Sequence, residues 1–460
     1  MKTIFINLFS ILTVDNFTIP GGVMDQLIER KDDNTRIVIL TTKLFEERLA
    51  PYTKNKNVSI EFIAKIPPKG IIQKLFQFFY SFLIFTGSTR ILATFGARAD
   101  IPPAGGNRFY APLKSLVANT FGRFAFIKRN VTPWLYFKIF RARPYRKLFD
   151  TYNPTLVFVP SIAFFPDVEL VAEAKRRGIR TVGMVSNWDH LNKYYIPLHA
   201  DHILVQNEPM KREATGWHAY DEAQVQVVGF PQFDLYSDLP KYLVPKAEFF
   251  KEFKIAEGTR LILFISGAAY SLDEPDILKT ISKWIGEGKF GPNMKLFLRP
   301  YAIARDLERE KEKYQEFEHD PNIIINWRRG DESLINRRYY MSMLYYADVV
   351  ISIFSTTAIE TAIFDRPTIT IGFDGYQKRP YHQSIVRLED MSHFRNVLDT
   401  NSVKVVRSFD DLSKTLQNYL EKPEIDSAER KVLVEKMCYK NDGEASKRIA
   451  DFILEKNNAR

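Results

Sequence analysis

Short runs of β-branched and other apolar residues alternate with longer stretches of helical spacing along nearly the whole chain. This alternation limits the fold more than any other feature. The first half offers runs at Thr3–Phe9, Arg36–Leu40, Val58–Ile63, Leu156–Pro160, Thr181–Val185, His202–Val205 and Val225–Val228. The second offers Leu261–Ser266, Lys295–Leu298, Asn322–Trp327, Asp348–Ser352, Thr368–Ile371 and Val403–Val406. Strands with little polar alternation and helices between them indicate parallel sheets covered on both faces. The expected fold class is therefore α/β, with two Rossmann-like, doubly wound domains. Between the halves, Gln232–Phe249 carries Pro240 and Pro245 among polar residues. Prolines neither donate to a ladder nor continue a helix, so this stretch reads as a linker. The expected domains are 1–238, with an insertion at about 65–149, and 246–426. Helices in 427–460, broken near Asn441-Asp442-Gly443, are expected to return toward the first domain. A length of 460 residues suits that division, and no period of 20–50 residues suggests a solenoid.

Charge sets the basic insertion apart. The net charge is +10, yet between Lys65 and Lys147 there are fifteen Lys and Arg against the single acid Asp100, a balance of +14. The rest of the chain has 50 basic and 54 acidic residues, a balance of −4. Phe121, Phe124, Phe126, Trp134, Tyr136, Phe137 and Phe140 are interleaved with these cations. Aromatic rings and cations together suit a membrane–water interface carrying anionic lipid. The alternative is a solvated helical hairpin whose rings face the protein's own core. No recognition motif accompanies the charge, so nucleic acid is not an expected partner. The apolar run Ile71–Phe85 would span about 22 Å as a helix, short of the hydrocarbon core of about 30 Å. It also contains Gln73, Lys74 and Gln77. At the N-terminus, Asp15 and Asn16 interrupt the apolar run, which reads as a first strand rather than a signal peptide. The expected location is cytoplasmic, peripheral on the inner face of the cell membrane.

With 45% hydrophobic and 14% aromatic residues, the chain is not a disordered one. The lone Cys438 excludes a disulfide scaffold and a cysteine-based zinc cluster. His199 and His202 are three apart but run into a predicted strand, and His382 and His393 lack ligand spacing. No metal and no cofactor are expected.

Chemistry concentrates in ADVVISIFSTTAIETAIFDRPTITIGFD, residues 347–374. A buried strand is followed by Ser355-Thr356-Thr357, which opens a helix. Unpaired N–H groups and hydroxyls at a helix start hold phosphate. Glu360, one turn in, is placed to accept the hydroxyls of a ribose. The same spacing also fits a capping box between Thr357 and Glu360. A second block, MVSNWDHLNKYYIPLHADHILVQNEPMKREA at 184–214, is followed by VQVVGFPQFD at 225–234.

Together these blocks resemble GT-B glycosyltransferases, in the bacterial surface-polysaccharide and CDP-glycerol glycerophosphotransferase-like branch. RSFDDLSKTLQNYLEKP (407–423) and KNDGEASKRIADFI (440–453) resemble that branch's C-terminal tail. The likeness spans roughly 150–455. Here the loop reads Ser186-Asn187-Trp188-Asp189-His190-Leu191, a small departure from the branch's S-W-D-N-L-like pattern. The resemblance implies two domains around a cleft, with an acceptor-binding N-half and a nucleotide-donor C-half. It also implies transfer without a metal, and no D-x-D occurs in the chain. The charge on the leaving phosphate then falls to protein groups. Arg299, at a strand end in LFLRP, suits bidentate phosphate oxygens. Its alternative is a surface cation before Pro300. Ser266 and Gly267, after the first strand of the C-half, let backbone approach the donor.

Transfer with inversion also needs a general base near the acceptor hydroxyl. The N-half candidates are Asp15, Asp167, Asp189 and His190. Asp189 and His190 are favoured because they lie in the resembling loop. Otherwise Asp189 caps a turn and Trp188 fills a wall of the cleft. Gly21-Gly22 opens an early helix; the resemblance implies a glycine loop facing the cleft on the acceptor side, and without it Pro20-Gly21-Gly22 reads only as a turn. The expected reaction moves a sugar from a nucleotide-sugar donor to a lipid-linked or surface glycan acceptor at an anionic membrane. A CDP-glycerol-type polyol-phosphate transferase, a nucleotide-sugar epimerase and a non-catalytic membrane-surface scaffold are the alternatives.

Overall fold

The computed structural model describes residues 1–66, 70–96, 98–100, 109–301, 307–328 and 334–459. Two compact units form: residues 1–89, 111–237 and 439–460 make the first, and residues 90–110 and 238–438 the second.

The first unit holds a seven-stranded sheet in the order β3-β2-β1-β4-β5-β6-β7. Its strands are β1 (Lys2–Asn7), β2 (Thr35–Thr41), β3 (Val58–Phe62), β4 (Leu156–Val159), β5 (Arg180–Met184), β6 (His202–Val205) and β7 (Val225–Val227). Every pairing is parallel; Phe5 on β1 lies opposite Val38 of β2 and Val157 of β4. Helices on the faces explain the continuous apolar runs: Ile4, Phe5 and Ile6 are all fully buried. On one face the core gathers Ile4, Ile6, Leu27, Ile39, Phe158 and Val182, together with Ile449 and Ile453. Those last two come from the C-terminal helix Ala445–Asn458, which lies in the first unit. Asp234, in the VGFPQFD block, holds that helix by accepting from the backbone N–H groups of Ala445 and Ser446 at 3.0 and 2.7 Å. The preceding helix, Ser427–Cys438, belongs to the second unit, where Arg430 Nε pairs with Asp365 at 2.7 Å.

The second unit holds a six-stranded parallel sheet in the order β10-β9-β8-β11-β12-β13. Its strands are β8 (Arg260–Ile265), β9 (Met294–Arg299), β10 (Ile323–Ile325), β11 (Val349–Ser352), β12 (Thr368–Ile371) and β13 (Lys404–Val406). Both sheets reverse direction of winding once, between β1 and β4 and between β8 and β11. The chain leaves these neighbours in opposite directions, which opens a crevice at their carboxyl ends where ligands bind in such folds.

Among the described residues, no helix is long and apolar enough to cross a membrane.

Candidate functional site

At the β8/β11 crevice, Arg299 ends β9 and sets its guanidinium 4.5 Å from the ring centre of Tyr340. Tyr340 comes from the helix Leu334–Tyr346, and its hydroxyl donates to Glu360 Oε2 at 2.7 Å. The Thr357 side chain hydrogen-bonds the same phenol. Burial, then the Glu360 charge, pushes this phenol well above its ordinary range, while Arg299 pulls the other way. Tyr340 therefore stays protonated and remains a donor to Glu360. The arrangement joins a cation, a carboxylate and hydroxyls around one ring. Beside them, the Ser355 hydroxyl is buried without a hydrogen-bond partner.

Thr356, not Thr357, is the N-cap of the helix Thr357–Ile363, and its side chain makes no capping hydrogen bond. The sequence leaves open whether Glu360 closes a capping box. In the structure its carboxylate accepts from Tyr340. Tyr340 escapes sequence reading because it sits in the run Arg-Arg-Tyr-Tyr, with no glycine, proline or charge pattern to single it out.

Ser266 and Gly267 occupy the turn after β8, but packing and an internal network explain them. Ser266 Oγ is buried 3.0 Å from both Glu274 Oε2 and Glu310 Oε2, and receives the Tyr314 hydroxyl at 2.7 Å. Its hydroxyl is committed to these neighbours. A Cβ on Gly267 would lie 2.3 Å from Ile353 Cδ1, so glycine there lets β8 and β11 close on each other.

In the first unit, a cavity of about 390 Å³ opens at the β1/β4 crevice. It is lined by Asn7 at the end of β1, Ser161 and Asp167 after β4, Ser186 and His190 after β5, and Lys65. The His190 ring lies edge-on to Phe164 at 5.2 Å, with Nδ1 3.2 Å from Ser186 Oγ. Burial lowers the His190 pKa, against a smaller upward pull from Asp189, so the ring is neutral near pH 7. Asp167 is 1% exposed. Burial pushes its carboxyl up to about 7, against hydrogen bonds from the Ser161 N–H and the Asn7 amide.

The other residues expected on the acceptor side lie outside this cavity lining. Asp189 pairs with Lys193 one turn along, and its Oδ1 is 3.9 Å from His190 Nε2. Trp188 is buried in the loop. Asp15 is buried and paired with Arg48. Gly21 adopts a φ of +72°, which glycine tolerates, and its N–H donates to Asp25. Gly22 then caps the helix Val23–Arg30; a Cβ there would meet the Ile19 carbonyl oxygen at 2.7 Å.

The basic segment divides its side chains by depth. Tyr136 and Phe140 are buried and stacked at 4.4 Å, whereas Phe121, Phe124, Phe126 and Trp134 are exposed. Ile71, Ile72 and Leu75 of the helix Ile71–Tyr80 are exposed as well. Lys114 and Lys128 point inward, donating to the Ser81 and Trp217 carbonyls, and burial brings both down to about 8. Arg143 pairs with Glu173. Lys74, Arg123, Lys138 and Arg141 lie exposed among the outward apolar residues.

Residues 311–455 match the family model for CDP-Glycerol:Poly(glycerophosphate) glycerophosphotransferase. No curated protein sequence matches the chain. Among solved structures, a glycosyltransferase from Rickettsia africae ESF-5 superposes with a TM-score of 0.52 at 11% identity, over 100% of this chain and 99% of that one. UDP-GlcNAc 2-epimerase from Neisseria meningitidis, bound to UDP-GlcNAc, gives 0.55 at 12% identity over 99% and 100%. A variant of the wall teichoic acid polymerase TagF gives 0.50 at 11% identity over 99% and 89%. The matched segment contains Tyr340, Thr357 and Glu360; Arg299 precedes it. The chain thus has the GT-B fold and resembles the CDP-glycerol glycerophosphotransferase-like branch over residues 311–455.

Proposed function

We propose that this protein is a nucleotide-dependent transferase that moves a sugar to a lipid-linked or surface glycan without a metal. The observation that carries the reading is the convergence of Arg299, Tyr340, Thr357 and Glu360 at the β8/β11 crevice. A guanidinium seated over a ring can offer N–H groups to phosphate oxygens, and a fixed carboxylate suits ribose hydroxyls. The unpartnered Ser355 hydroxyl adds a donor at the helix start. The UDP-GlcNAc bound to the Neisseria epimerase supports a nucleotide-sugar ligand on this fold.

A second reading, transfer of a polyol phosphate from a CDP donor, is favoured by the family match over residues 311–455. A thermal-shift panel of UDP, GDP, CMP, CDP and dTDP separates the two. Stabilisation by UDP, GDP or dTDP without CDP supports the sugar transferase, and stabilisation by CDP favours the second reading. No shift with any nucleotide contradicts both.

The reaction would take place at an anionic membrane. The exposed apolar residues Ile71, Leu75, Phe121, Phe126 and Trp134 lie in a segment that also exposes Lys74, Arg123, Lys138 and Arg141. Rings and aliphatic side chains entering the headgroup layer, with about 1 kcal/mol from each cation near an anionic surface, give reversible docking.

A further inference from the structure

We infer that the cavity at the β1/β4 crevice is the subsite for the acceptor hydroxyl, and that Asp167 is the base that takes its proton. This rests on the transferase reading and moves the base away from Asp189, whose carboxylate pairs with Lys193. The cavity has the size and lining for one ring or a short polyol: about 390 Å³, with hydroxyls, an amide and a phenylalanine wall. It sits at the winding reversal, where doubly wound sheets bind ligands. Asn7 is 1% exposed, and its Oδ1 has no hydrogen-bond partner. That leaves an acceptor for a ligand hydroxyl in the same lining as Asp167.

Asp167 is held from two sides. Asn7 Nδ2 donates to Oδ1, and the Ser161 N–H donates to Oδ2 at 2.5 Å. These contacts fix the carboxylate and leave lone pairs on both oxygens. The titratable groups sharing the cavity are His190 from the loop after β5 and Lys65 from the segment after β3. Tyr145, from the element preceding β4, senses the Asp167 charge. A carboxyl poised near neutral pH is matched to proton abstraction in a way that an ordinary aspartate is not. Burial lowers the pKa of His190 below its ordinary value, so beside Asp167 its ring is the weaker base and serves to orient the hydroxyl.

In the step itself, the acceptor oxygen uses a lone pair to form the bond to the donor's electrophilic atom. The bond from that atom to the leaving phosphate oxygen breaks, and the nucleotide departs with that electron pair. The hydroxyl proton ends on the Asp167 carboxylate, so atoms and charge balance with no further reactant.

The test uses the full chain. Nucleotide release from UDP-N-acetylglucosamine and from CDP-glycerol is followed with glycerol as the hydroxyl acceptor, across pH 5 to 9. Wild-type rate should rise with pH through a midpoint near 7, and Asp167→Asn should lower kcat about a hundredfold or more. The nucleotide thermal shift should stay unchanged in that variant. Should Asp167→Asn fail to fold, carboxyl-carbon NMR of the wild-type protein still reads the titration of Asp167. A midpoint near 7 supports the assignment, and one near the ordinary value of about 4 overturns it. An active wild type with an equally active Asp167→Asn contradicts the base alone. A wild type that neither releases nor binds nucleotide contradicts the transferase reading itself.

Discussion

Arg299 and Glu360 are bridged by a residue that carries no charge. The Tyr340 ring lies under the guanidinium, and its hydroxyl reaches the carboxylate. Tyr340→Phe keeps the ring and removes the hydrogen bond, so nucleotide affinity should fall only about three- to tenfold, the value of one hydrogen bond. Calorimetry on that variant checks it. Gly267→Ala acts by sterics, because its Cβ collides with Ile353. It should lower stability by about 1–3 kcal/mol, measured by urea unfolding. The positions of Arg299 at a strand end and of Thr357 and Glu360 in a helix's first turn are legible in the sequence, because strand ends and helix starts follow from periodicity. The contacts of Tyr340 with Arg299 and Glu360 are not, since they depend on how three separate elements pack. Asp167 was visible only as one of several acids. Its distinction is burial, which one sequence does not display.

Among secondary-structure elements, the runs read from the sequence lie within two residues of the ends of the thirteen strands found among the described residues. Continuous apolar runs in a parallel α/β chain have few other uses, which is why they were readable. The order of the strands was less so, because winding reversals depend on where each helix packs. The two C-terminal helices show the same limit: they are neighbours in sequence but lie in different units. Asp234 explains part of the division, since its carboxylate receives the first N–H groups of Ala445–Asn458. Asp234→Ala leaves those donors unsatisfied. It should cost about 1–3 kcal/mol and raise hydrogen exchange first in that helix.

Across the whole molecule, buried acids and buried histidines oppose each other. Burial raises Asp167 and Glu169 to about 7 and Glu213 to about 8. Their stability contribution is present at low pH and is lost as pH rises through those values. His199 and His218 are lowered by burial to about 3 and about 4, so their contribution is lost as pH falls below 6.5. From pH 6.5 to about 7.5 the carboxyl effect dominates; higher up, Lys114 and Lys128, lowered to about 8 by burial, oppose it, because the unfolded chain then binds more protons. The melting temperature should therefore decline between about pH 6.5 and 7.5, and Glu213→Gln should flatten that slope. The +14 segment adds a second property of the whole molecule, since its cations divide into buried, paired and exposed groups. Replacing Lys74, Arg123, Lys138 and Arg141 together should release the protein from anionic liposomes in flotation, while replacing the paired Arg143 should not. The proposed transfer depends first on nucleotide binding at the β8/β11 crevice. Calorimetric titration of UDP and CDP into the wild type and Glu360→Ala measures it. At least one nucleotide should bind the wild type, and the substitution should weaken that binding tenfold or more. Equal affinity in the two proteins, or no binding to either, would contradict that proposal.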